Sequence, residues 1–83
     1  MNYRMGERMT ADFVSNCVAL ATKLLKLPVQ HVWLDYDKVA DVLYMSFRKP
    51  QRATETIELE EDILIRKDGK EIVGLTLLNA SHR

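Results

Sequence analysis

The chain is poor in what usually staples a small protein. It has one cysteine, Cys17, in 83 residues, so no disulfide can form within it, and no Cys/His spacing resembles a zinc site. A lone cysteine is compatible with a reducing compartment. Net charge is also lacking: twelve Lys and Arg balance twelve Asp and Glu. That balance argues against wholesale electrostatic binding to nucleic acid or to an anionic membrane. No segment reads as a signal peptide, and no apolar run spans a bilayer. The longest apolar stretch, Phe13 to Leu27, is interrupted by Ser15, Asn16, Thr22, Lys23 and Lys26. A cytoplasmic protein without membrane contact is the expectation. Eighty-three residues make one domain. A core of this size rarely supplies more than roughly 3–5 kcal/mol unaided, so association is a common remedy.

What the chain does have is periodicity. Residues 1–9 show no clear period and read as a loose tail; residues 10–83 read as a single domain. Over 10–27 a step of about 100° per residue gathers Phe13, Val14, Cys17, Val18, Leu20, Ala21, Leu24, Leu25 and Leu27 on one half of a helical wheel. Asp12, Ser15, Asn16, Thr22, Lys23 and Lys26 take the other half. Thr10 is a plausible N-cap, and Pro28 ends the helix. The apolar stripe, about 180° wide, exceeds the ordinary core-facing stripe, and its spare width could meet a second chain.

After Pro28 the period becomes two. Val32, Leu34 and Tyr36 alternate with Trp33, Asp35 and Asp37. A turn over Lys38 to Ala40 leads into Val42–Phe47, rich in β-branched and aromatic residues. Thr54 to Glu60 alternates again, and a three-residue loop from Glu60 to Asp62 would set Leu59 opposite Ile63 and Ile57 opposite Ile65. The tetrad Lys67-Asp68-Gly69-Lys70 predicts a tight hairpin. A turn centred on Asp68-Gly69 would place Arg66 opposite Glu71, Ile65 opposite Ile72, Leu64 opposite Val73 and Ile63 opposite Gly74. One face would then hold Ile57, Leu59, Ile63, Ile65 and Ile72, and the other Leu64, Val73, Leu75 and Leu77. The predicted fold is α+β: one N-terminal amphipathic helix packed on a four- or five-stranded antiparallel meander. One helix cannot cover two apolar faces.

The segments YDKVADVLYMSF (residues 36–47) and DGKEIVGLTLLNAS (residues 68–81) resemble a family of small uncharacterised prokaryotic proteins, catalogued as domain of unknown function 2283. Tyr36, Asp37, Ala40, Asp41, Leu43 and Tyr44 carry the first motif; Asp68, Gly69, Gly74, Leu78, Ala80 and Ser81 carry the second. The resemblance covers roughly residues 32–81 and leaves the helix outside. It supports the fold and implies no reaction. Some members are thought to sit beside toxin-like partners, which implies an interaction role.

Candidate chemistry is sparse. Asp35, Asp37 and Asp41 cluster at one turn and could hold a hard cation, but their spacing matches no calcium loop, and Asp37 reads as a side-chain cap of the turn with Asp41 solvated beyond it. Tyr36 and Tyr44, as cross-strand neighbours, could stack a ring or simply pack the sheet. With Asp37 and Asp41 they form the candidate ligand-binding set. Arg48, Lys49 and Arg52 make a small basic loop, with no interleaved aromatic to suggest nucleic acid. Cys17 lies in the apolar stripe and reads as a buried hydrophobe. His31 and His82 pair with no nucleophile, so no catalytic set, metal centre or cofactor is expected. Ser81 reads as a local hydrogen-bonding residue, and Gly74 as a bulge or a place where the helix approaches closely. The function expected is a non-catalytic homodimeric interaction module with Trp33, Leu64, Val73, Leu75 and Leu77 as candidate interface residues. The alternatives are an antitoxin-like regulator that binds a small toxin, and a ligand-binding protein or enzyme using Tyr36, Asp37, Asp41 and Tyr44.

Overall fold

The computed structural model describes the backbone of residues 4–83 and the side chains from Thr10 onward. Helix α1 spans Arg4–Leu24. The strands are β1 (Trp33–Asp37), β2 (Val42–Ser46), β3 (Glu55–Glu60), β4 (Ile63–Asp68) and β5 (Glu71–Leu78), and a short 3-10 turn, Ala80–His82, follows. The α+β class with an antiparallel sheet is therefore as expected. Of the nine residues read as a tail, 4–9 belong to the helix and 1–3 lie outside the described residues. Thr10 is thus inside the helix rather than its cap. At the other end Leu25 still bonds Ala21 (3.1 Å), while Lys26 and Leu27 tighten to Lys23 and Leu24 (3.1 and 3.0 Å) before Pro28.

The sheet order is β1-β2-β5-β4-β3. It departs from a pure meander at one point. The connection after β2 carries the chain to the far edge, and β3-β4-β5 then winds back until β5 docks on β2. Two hairpin turns differ from expectation. Glu60 pairs with Ile63, so the β3–β4 turn holds two residues and Leu59 is bulged out of register, while Ile57 faces Ile65 as predicted. In the next hairpin Asp68 pairs with Glu71, which moves the turn to Gly69-Lys70, and the register shifts again where Lys67 faces Ile72 and Arg66 faces Gly74. Gly69 at φ 65° supplies the left-handed residue. The extra residue on β5 is Val73.

A one-residue shift exchanges the faces of a strand. The consequence is large. Leu75 and Leu77, expected opposite the isoleucines, pair directly with Ile65 and Ile63. One aliphatic row crosses all five strands: Leu34, Met45, Leu75, Ile65 and Ile57. Beside it runs Tyr36, Leu43, Leu77 and Ile63. This is the front face. The back face reads Asp35, Tyr44, Thr76, Leu64 and Glu58 in one row, and Trp33, Ser46, Gly74, Arg66 and Thr56 in the next. The front face carries the continuous aliphatic surface; the back face is mixed, with Trp33, Tyr44 and Leu64 among polar residues and a third row of Asp37, Val42 and Leu78.

The back face is crossed by the β2–β3 connection. Gln51 donates to Ser46 Oγ (2.9 Å) and accepts from Arg66 Nε (3.1 Å). Gly74 makes this possible: a Cβ there would collide with the Gln51 amide and lie 2.7 Å from the Met45 carbonyl oxygen. The close approach expected at Gly74 is real, but the approaching group is Gln51, not the helix.

The helix does not lie on the sheet. Phe13, Val18 and Leu25, expected to pack there, are 69%, 55% and 84% exposed, Cys17 is exposed, and Leu24 is only half-buried. The radius of gyration is 15.7 Å and the longest dimension 50 Å, against about 12 Å for a compact domain of this length. The helix projects, because the linker after Pro28, not the helix, meets the sheet. Leu27 to His31 form one wall of a cleft of about 740 Å³ whose other side includes Phe47, Val73 and Leu75. Among the described residues, Val42 and Val73 are the buried hydrophobic side chains.

Candidate functional site

The β1–β2 turn gathers the polar residues that sequence reasoning marked. Asp37 Oδ1 accepts from the backbone N–H of Val39 and Ala40, both at 3.1 Å, the Asx turn its position implies. Asp41 then adopts a left-handed conformation, φ 58°, which aspartate tolerates better than most residues. That conformation aims its carboxylate across the sheet end rather than into solvent. Asp41 Oδ1 accepts from the Tyr36 hydroxyl (2.6 Å) and from the Ser81 N–H (2.9 Å), and Oδ2 accepts from Ser81 Oγ (2.7 Å). The Asp41 backbone carbonyl accepts from Ala80 N–H (3.0 Å). His82 Nε2 lies 3.9 Å from the same carboxylate. The side chain of Asp41 is only 20% exposed, so the solvated placement expected for it is wrong. Ser81 bonds across forty residues of sequence, not locally.

This knot is electrostatically self-consistent. The Tyr36 hydroxyl, the Ser81 hydroxyl and the Ser81 N–H all favour the carboxylate, so Asp41 titrates below the usual aspartate range. Tyr36 titrates above the usual tyrosine value, because its proton is held by Asp41 and its phenolate would meet that negative charge. The Ser81 hydroxyl donates to a carboxylate held below its usual range, a weak base, so the bond ties the serine down without the strong proton acceptor that a nucleophile needs. The arrangement anchors the C-terminal turn to the first hairpin. A parallel anchor sits beside it, where Asn79 Nδ2 donates to Asp62 Oδ2 (3.1 Å) and Leu78 N–H to the Asp62 carbonyl (2.9 Å).

The tyrosine pair is not brought together. Tyr36 pairs with Leu43, and Tyr44 with Asp35, so the two rings stand on opposite faces. Among the described residues no three His, Cys, Asp or Glu side chains are grouped to hold a metal. The basic loop splits as well: Arg48 bonds Asp68 (2.7 Å), Glu71 (3.3 Å) and the Gln51 carbonyl (3.0 Å), whereas Lys49 and Arg52 are exposed.

The interface candidates divide. Leu75 and Leu77 are on the front face, Val73 is 1% exposed beneath the linker, and Leu64 and Trp33 belong to back-face rows. Trp33 stacks on His31, ring centroids 5.5 Å apart at 22°. The residues that sequence reasoning missed are Leu34, Leu43 and Met45, which complete the front face. Alternation in β1 and β2 marks them as one set; the shift at Val73 that joins them to Leu75, Leu77 and the isoleucines leaves no mark in the sequence.

The front-face side chains are half-buried or exposed, Leu34 at 40% and Ile57 at 39%. Monomeric proteins seldom leave so continuous an apolar surface open. No described helix is long and apolar enough to cross a membrane.

A five-stranded antiparallel sheet closed by an Asp–Ser–Tyr knot, with an N-terminal helix standing off it, defines a small α+β class of protein. Residues 33–81 match the family described as protein of unknown function DUF2283, and the chain belongs to that family. The matched segment spans the whole sheet and ends at the knot; the helix lies outside it. No curated protein and no solved structure matches the chain.

Proposed function

We propose that the protein is a non-catalytic, homodimeric interaction module of the cytoplasm, with the front face of the sheet as its interface. The observation that supports this reading is the row Leu34, Met45, Leu75, Ile65 and Ile57, aliphatic on all five strands, half-buried or exposed, and met by its own chain only at Leu75, where the linker cleft begins. The edges are less suited to association. Edge strand β3 carries Glu55, Glu58 and Glu60 and is bulged at Leu59, and edge strand β1 carries Asp35 and Asp37, devices that discourage strand addition. Zero net charge removes repulsion between copies. Two-fold association of the same patch is the usual way such a surface is covered.

Leu75 lies mid-row, so Leu75→Glu would place an uncompensated charge at the interface centre. Light scattering on the wild type should give the mass of two chains. Leu75→Glu should fall to the mass of one, with Lys49→Glu, exposed on a loop, as the control that stays dimeric. A wild type that remains at monomer mass at high micromolar concentration would overturn the reading.

A further inference from the structure

We infer that the two protomers exchange their helices, each α1 lying across the front face of the partner's sheet. This rests on the homodimer proposed above and adds which element covers the face. Two apolar surfaces are left open in one chain: the front face of the sheet, and the helical stripe with Phe13, Val14, Val18 and Leu20 exposed. Stacking two sheets face to face would cover the first and leave the second in water. Exchange covers both.

The dimensions agree. Helix α1, 21 residues long, extends about 31 Å at 1.5 Å per residue, enough to cross the sheet with a turn or two to spare; residues 10–24, which carry the stripe, account for about 22 Å of it. Five strands spaced about 4.8 Å apart span roughly 19–24 Å. The area agrees too. The chain exposes 6930 Å², whereas a folded monomer of 9.6 kDa should expose about 5,100 Å². The surplus, roughly 1,800 Å² per chain, is within what obligate homodimers bury, about 1,000–2,500 Å² on each partner.

The linker explains why the helix does not serve its own sheet. Leu27, Pro28 and Val29 share a cleft with Phe47, Val73 and Leu75 at one end of the front face. The hydrogen bonds at Leu25, Lys26 and Leu27 tighten the end of the helix immediately before that seat. The helix is therefore held at the rim of its own front face and directed off it, in the manner of swapped elements. An isolated helix of this length is marginal in water, so it needs the partner surface as much as the surface needs it.

Cys17 lies in the stripe and is exposed, which makes it a natural probe. Chains carrying Cys17→Ser with Leu34→Cys or with Met45→Cys would be unfolded and refolded together with the wild type, then treated with a short thiol-to-thiol cross-linker. Exchange predicts a product joining Cys17 of one chain to the face cysteine of the other, from at least one of the two face positions. Dimers by light scattering that give no mixed product from either position would overturn the exchange and leave the homodimer standing. So would an intrachain link, at monomer mass, in chains that carry Cys17 together with either face cysteine. A monomeric wild type would overturn the homodimer and the exchange together.

Discussion

Dilution should melt this protein. With two buried hydrophobic side chains among its described residues and a surplus of roughly 1,800 Å² over a monomer of its mass, the single chain has little to hold it folded. If folding and pairing are one step, the midpoint of thermal unfolding depends on protein concentration by mass action. Its size follows from chain length. Two chains of 83 residues at about 0.7 kcal/mol per residue give an unfolding enthalpy near 115 kcal/mol. Near 330 K that enthalpy implies a midpoint shift of roughly 4 °C for each tenfold change in concentration. Circular dichroism at ~100 µM and again at ~1 µM should therefore differ by about 8 °C. Long-path cells keep the far-ultraviolet signal comparable. The same series on Leu75→Glu should show a lower midpoint throughout. A midpoint constant to about 1 °C over the hundredfold range would refute the reasoning, because a self-sufficient monomer has no concentration term.

Two further predictions concern the inner ties of the sheet. Asp41 is held below the ordinary carboxylate range, so its contribution to stability is present above the unfolded value of about 3.9 and is lost as pH falls through the folded value. Asp41→Asn should accordingly flatten the acid side of the melting profile while retaining the Ser81 N–H bond; parallel profiles for variant and wild type would count against the knot. Gly74→Ala should lower stability by about 1–3 kcal/mol in urea titrations, as overpacking does. Because the Met45 carbonyl also blocks the added methyl, Gln51→Ala should relieve that loss only in part, and a Gly74→Ala chain as stable as the wild type would mean that the β2–β3 connection does not press on the strand.

The elements themselves were legible in the sequence because each carries its own period: the helical stripe behind Phe13, the alternation around Tyr36, the Asx turn at Asp37, the pairing of Ile57 with Ile65. The assembly was less so, for two physical reasons. Sequence alternation assigns faces only while the register holds, and one extra residue at Val73 moved Leu75 and Leu77 to the isoleucine side. Amphipathicity says that a stripe needs cover without saying whose. The expected packing of Phe13 and Val18 on their own sheet was the economical solution, and it fails because the Leu27–His31 linker meets the end of the face first. The knot was half legible. Tyr36, Asp41 and Ser81 stood out as motif residues, but their convergence depends on β5 ending beside the β1–β2 turn, which follows from the insertion of β5 between β2 and β4.

That insertion also explains how polar order is distributed. β5 is the central strand, and both of its ends are tied: Asp41 and Asp62 hold the Leu78–Ser81 end, and Arg48 bridges Asp68 and Glu71 at the other. Gln51 and Arg66 brace the back face between them. Ties at the ends and the back cost the front face nothing in apolar area, so its middle row stays wholly aliphatic. The family match stops where this platform stops, at residues 33–81, and the helix with its open apolar stripe lies outside the match. Sheet and helix are thus separate parts of one chain. Substitutions in the stripe, such as Val18→Asp, should act on assembly, whereas substitutions in the knot should act on the sheet's acid stability.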